Sequence, residues 1–191
     1  MEAIGRHDAG TCKHASGVIA VRVPLITLQQ YTKAEIWQNS LTDKQWLARC
    51  DELAVEQRFA FLELLSFSRD GATHEQEIGL FSFLSVLQHL AHEVSPDCAR
   101  PIEEAELAAG VKRGWQFFLR SITKDPAYEA KLHRMWFESV QASGEPFLWA
   151  GCWILMRQTQ VVDSPLAQGM VLTLFGLIDC YARRFSEFAK R

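Results

Sequence analysis

Helix-start signals recur along this chain at the points where apolar residues begin to repeat every three or four positions. That coincidence most constrains the fold. Four of the six prolines, Pro101, Pro126, Pro146 and Pro165, stand where a first helical turn would begin. Proline is tolerated there because the N–H it lacks would be unpaired anyway. Asp125 and Ser164 directly precede two of these prolines and make good N-caps. Thr42 is followed three places on by Gln45, and Thr73 by Gln76, each the pattern of a capping box. Leu41 and Trp46 occupy the two positions of a hydrophobic staple around the first box.

Between these signals the apolar residues fall into stripes. Trp46, Cys50, Leu53, Gln57, Phe61 and Leu64 form one stripe over 42–68. Leu107, Val111, Trp115, Phe118 and Ile122 form another over 101–122. Tyr128, Leu132, Met135, Trp136 and Val140 do so over 126–142, and Met170, Leu174, Leu177, Tyr181, Phe185 and Phe188 over 165–189. Stripes of this period bury one helix face against neighbouring helices. The pattern predicts an all-α, single-domain bundle of six to seven mostly antiparallel helices, including a short one near 27–39. Short connections favour antiparallel neighbours.

The first 17 residues are polar, contain three glycines and have no apolar period, as expected of a flexible N-terminal tail. Residues 18–23 are β-branched and read as an extended segment draped over the helices, since a lone strand has no partner. The single domain is expected to span 18–191. Apolar residues make up 48% of the chain, with 6 Trp and 12 Phe, enough to fill one core. The apolar runs at 146–156 and 166–178 fall short of the roughly 20 residues that a membrane span needs, so they read as buried core helices. Glycines interrupt several predicted helices. Gly110 shares a face with Gly114, and Gly169 with Gly176, which suggests close helix–helix approach.

Net charge is −3, and the densest basic stretch is Arg183, Arg184, Lys190 and Arg191 at the end of the last helix. Cations are favoured there by the helix dipole. No basic stripe of the kind nucleic-acid binding requires is present. Five widely spaced cysteines, Cys12, Cys50, Cys98, Cys152 and Cys180, contain no C-x-x-C. They suit a reducing, cytoplasmic setting.

Chemistry is concentrated in the helix predicted over 73–94. It is apolar over most of its circumference except for Ser82, Ser85, His89 and His92, flanked by Gln88 and Glu93. A buried helix must send such a stripe to water or to a polar interior. His89 and His92, His89 and Glu93, and Glu129 and His133 have the spacings that bring helical side chains together. If the two helices faced each other, His89, His92, Glu93, Glu129 and His133 would form a metal site suited to iron, zinc or manganese. Solvated ion pairs are the plainer account of the same spacings. The chain contains no Glu-x-x-His, His-Glu-x-x-His, G-x-S-x-G, Walker loop or G-x-G-x-x-G. Asp179, four residues before Arg183, reads as half of an ion pair at the edge of a buried face.

These features favour a non-enzymatic module that binds a protein partner or itself, as a regulator or assembly factor. Trp37, Phe147, Phe185 and Phe188 are its candidate interface residues, since aromatics often anchor such surfaces. A metal- or small-ligand-binding enzyme built on the His/Glu cluster is the alternative. No cofactor is otherwise implied.

Overall fold

A computed structural model describes residues 25–122, 134, 137–138, 140, 144–158 and 165–191. The described residues are all-helical, as the punctuation predicts. They form α1 (Leu28–Asn39), α2 (Asp43–Glu56), α3 (Arg58–Arg69), α4 (His74–Val94), α5 (Glu104–Ile122), α6 (Pro146–Gln158) and α7 (Pro165–Phe188). The tail at 1–17, the segment 18–23, the caps Asp125 and Ser164 and most of the 126–142 stripe lie outside the described residues.

Four of the local start signals, at Thr42, Thr73, Pro146 and Pro165, open helices. Thr42 and Thr73 each accept from the backbone N–H three residues on, and the Gln45 and Gln76 side chains return the bond. Thr27 and Gln30 build a third capping box at the start of α1. Pro146 and Pro165 are first residues of their helices. Pro101 is not: α5 begins three residues later, at Glu104. At the end of α3, Gly71 takes φ +98, and the Ala72 amide donates to the Phe67 carbonyl at 2.9 Å. This is a Schellman stop, and it turns the chain into α4.

The predicted continuous helix over 42–68 is two. Gln57 has φ −126 and ψ 44, outside helical values, and separates α2 from α3. Its side chain is fully buried and is held by groups far along the chain, described below. Those bonds, rather than local propensity, fix the break.

α4 and α7 make the centre. Leu80, Leu84, Leu87, Leu90 and Ala91 of α4 and Leu177, Ile178, Cys180, Tyr181 and Phe185 of α7 are at most 1% exposed. α7 is long and apolar enough to cross a membrane by length and composition, yet 67% of its most apolar 18-residue stretch is buried inside the domain. Its burial marks it as the core helix, as the 166–178 run predicts. α5 lies antiparallel on α7, because Glu106 meets Arg184 while Arg113 meets Asp179. α2 runs parallel to α4, since Arg49 meets Ser85 and Glu56 meets His92.

The helix glycines have the predicted packing role. A Cβ on Gly110 would stand 2.8 Å from the Gly176 carbonyl oxygen, and one on Gly176 would stand 2.8 Å from Val111 Cγ2. Gly114 is pressed by Phe175 in the same way. These contacts turn the face of α5: Leu107, Gly110 and Gly114 are buried, while Trp115, expected in the buried stripe, is 41% exposed. In α6, the Tyr31 phenol sits where a Gly151 side chain would be.

Candidate functional site

The polar stripe of α4 passes from the interior to the surface: its inner part lies under α1 and α2, while the side chains of His89 and His92 are 31% and 49% exposed. Ser85 is fully buried, and its Oγ accepts from Arg49 Nε at 3.2 Å. Arg49 continues outward to Glu52 at 2.9 Å and Glu56 at 3.4 Å. The His89 ring stacks on Trp37 with centroids 4.3 Å apart and planes 16° from parallel. The Arg49 guanidinium lies 6.0 Å from the same indole. Two aromatic planes and a cation therefore cover the inner part of the stripe from the α1 side.

Beneath this cover Gln88 is a hub, with no exposed surface. Its Oε1 accepts from the Tyr181 hydroxyl at 2.7 Å and from Gln57 Nε2 at 2.8 Å. Its Nε2 donates to the Ala99 carbonyl at 2.9 Å and lies 3.2 Å from His92 Nε2 and 3.3 Å from Glu56 Oε2. Gln57 extends the net, donating to the Ala99 and Arg100 carbonyls at 3.1 Å and accepting from the Ile102 amide at 2.8 Å. A buried amide must find such partners, because an unpaired one costs about 1–3 kcal/mol. The two glutamines thus tie α2, α3, α4, α7 and the 95–103 connection into one network.

The metal candidates divide between different partners. His89 Nε2 faces Glu93 at 3.6 Å, and His92 Nε2 faces Glu56 at 3.8 Å and Gln88. No group of three or more His, Cys, Asp or Glu that could hold a metal ion occurs among the described residues. Glu129 and His133 lie outside them. Burial, reinforced by Arg49 and His92, lowers the His89 pKa below its ordinary 6.5, against the pull of Glu93. Its neutral ring suits the stack on Trp37.

Of the candidate interface aromatics, Phe185 has no accessible surface and belongs to the core. Phe147 is half-buried against that core, Trp37 is half-buried on His89, and Phe188 is 38% exposed. Ion pairing accounts for the C-terminal arginines. Asp179 accepts from Arg183 at 2.8 Å, the predicted pair, and from Arg113 of α5. Arg184, its side chain 3% exposed, grips Glu106 with two nitrogens at 2.9 and 2.7 Å and donates to the carbonyls of Cys98, Arg100 and Pro101. Arg191 reaches Asp97 at 2.8 Å.

Reading the sequence missed Gln57, Gln88 and Arg184 as organising residues. The first two did carry a signal. Gln57 is the polar member of an otherwise apolar stripe, and Gln88 flanks the polar line of a helix apolar almost all round. Burial pushes the Cys152 and Cys180 thiols up to about 12, so both stay protonated as small core side chains. Leu47 and Val55 on the outer side of α2 are 65% and 80% exposed, in contrast with Leu53 on its inner side, which has no exposed surface. No family model matches the chain, and no curated protein or solved structure is similar enough to count as a match.

Proposed function

We propose that this chain is a non-enzymatic protein-binding module that presents α2 to its partner. The carrying observation is the imbalance of that helix. Of its 14 residues only Arg49 and Leu53 are buried, while Leu47 and Val55 stand out into solvent. α2 is held from behind by polar bonds through Arg49, Glu56 and the adjoining Gln57. A rigidly mounted helix with exposed apolar side chains meets a partner with little ordering cost. The free, buried thiols Cys98, Cys152 and Cys180 fit a reducing compartment such as the cytoplasm.

The test is affinity capture with the full chain beside its Leu47→Asp/Val55→Asp variant, followed by hydrogen exchange on the purified complex. The expected result is a protein partner, another chain or a second copy, that protects residues 43–55 and is lost with the variant, while helicity stays unchanged. Identical capture by both forms, or protection elsewhere only, would exclude α2 as the docking element.

A further inference from the structure

We infer that the occupant of this face is a second copy of the same chain, paired through α2 in antiparallel orientation. The inference rests on the preceding reading of α2 as the docking helix and names its partner.

Lys44, Ala48, Asp51 and Val55 are all exposed and follow one another at intervals of four, three and four residues. That spacing forms a single seam along a helix, the interval that packs one helix against another. Leu47 borders the seam, 65% exposed. The charges along it are ordered, with Lys44 near the N-terminus of α2 and Asp51 two turns on, and Glu52, held by Arg49, beside the seam. In a parallel pair Lys44 would oppose Lys44, and Asp51 would oppose Asp51. In an antiparallel pair with Ala48 at the two-fold axis, each Lys44 lies level with Asp51 and Glu52 of the other copy, and symmetry repeats the contact. The same register sets Val55 level with Leu41 of the other copy.

Three general effects favour this arrangement. The alanine at the axis lets the helices approach to about 8 Å, the short end of helix spacing. The two helix dipoles run opposed. Two-fold pairing uses one patch twice and closes after two copies, so it builds no fibre. Fourteen residues of helix span about 21 Å, and the contact is small beside a standard interface of about 1,600 Å². The dimer is therefore weak, concentration-dependent and quick to exchange.

Sedimentation equilibrium of the purified full chain, from micromolar to near-millimolar, tests the pairing with no other protein present. The expected result is a monomer–dimer equilibrium weakened roughly tenfold or more by Lys44→Glu or by Asp51→Lys, and restored when both are combined. The Ala48→Cys variant, in a Cys50→Ser background under a mild oxidant, should form a 48–48 disulfide, which only close approach at the axis permits. A monomer throughout this range overturns the inference. So does a dimer indifferent to both charge changes, or one without the 48–48 link. None of those results touches the reading of α2 as a docking helix, which falls separately if a captured partner ignores the Leu47→Asp/Val55→Asp change.

Discussion

Gln88 carries more of the interior polar chemistry than any histidine near it. Replacing it with leucine strips an acceptor from the Tyr181 hydroxyl and from Gln57, and a donor from the Ala99 carbonyl. Gln88→Leu is therefore expected to cost roughly 2–4 kcal/mol in urea unfolding. Combined with Tyr181→Phe it should cost less than the sum, because the second change removes a group that the first leaves unpaired. His89 supplies a separate test. Its pKa is lowered by burial, so its contribution to stability is present above its ordinary 6.5 and is lost as pH falls through the lower folded value. The His89 ring protons should titrate below 6.5 by NMR, and unfolding free energy should drop in that window. The His89→Phe variant keeps a ring on Trp37 and should lack that portion of the drop.

At the scale of elements, the α5–α7 contact is set by glycine. An alanine normally improves a helix interior by about 1 kcal/mol over glycine. Gly110→Ala should reverse that sign, since its methyl would meet the Gly176 backbone at 2.8 Å, and backbone cannot rotate away. A net loss of roughly 1–3 kcal/mol by thermal unfolding is expected from overpacking. Gly169→Ala meets only the Phe67 ring edge, at 3.2 Å, and should cost far less. The helix starts were legible because a capping box or an N1 proline acts across three or four residues. The division of α2 from α3 was not. Gln57 is a tolerable helix residue in isolation, and what removes it from the helix lies at Gln88, Ala99, Arg100 and Ile102.

The whole molecule is closed by two buried charges that join distant parts of the chain. Arg184 pins the 98–101 segment and Glu106 to the end of α7. Arg184→Met should cost roughly 3–5 kcal/mol, because it leaves a carboxylate and several carbonyls without their donor. Glu145 accepts from the amides of Leu25 and Ile26 at 2.9 and 3.2 Å, across about 120 residues, and so fixes the entry to α1. Burial raises its pKa above the ordinary 4.5, in part against those two amides. A raised carboxyl contributes most below that ordinary value, and the contribution is lost as pH rises through the folded one. Stability of the wild type should therefore fall relative to Glu145→Gln as pH is taken upward from 4.5, in urea titrations at a series of pH values.

The sequence by itself determined that this chain is helical, where the helices opened by Thr42, Thr73, Pro146 and Pro165 begin, and that glycines would set close packing. Those properties follow from bonds and side-chain spacings within one or two turns. Only the tertiary structure decided that Trp37 and Arg49 cover His89 and Ser85 of the α4 stripe, that Gln88 gathers its buried hydrogen bonds, and that Phe185 is core while Leu47 and Val55 are surface. Each of those outcomes depends on which elements lie side by side, and partners 30 to 120 residues apart leave no local period to read. The physical reason is the cost of unpaired polar groups. It forces each buried amide and charge to find a partner, and leaves the choice of partner to the fold.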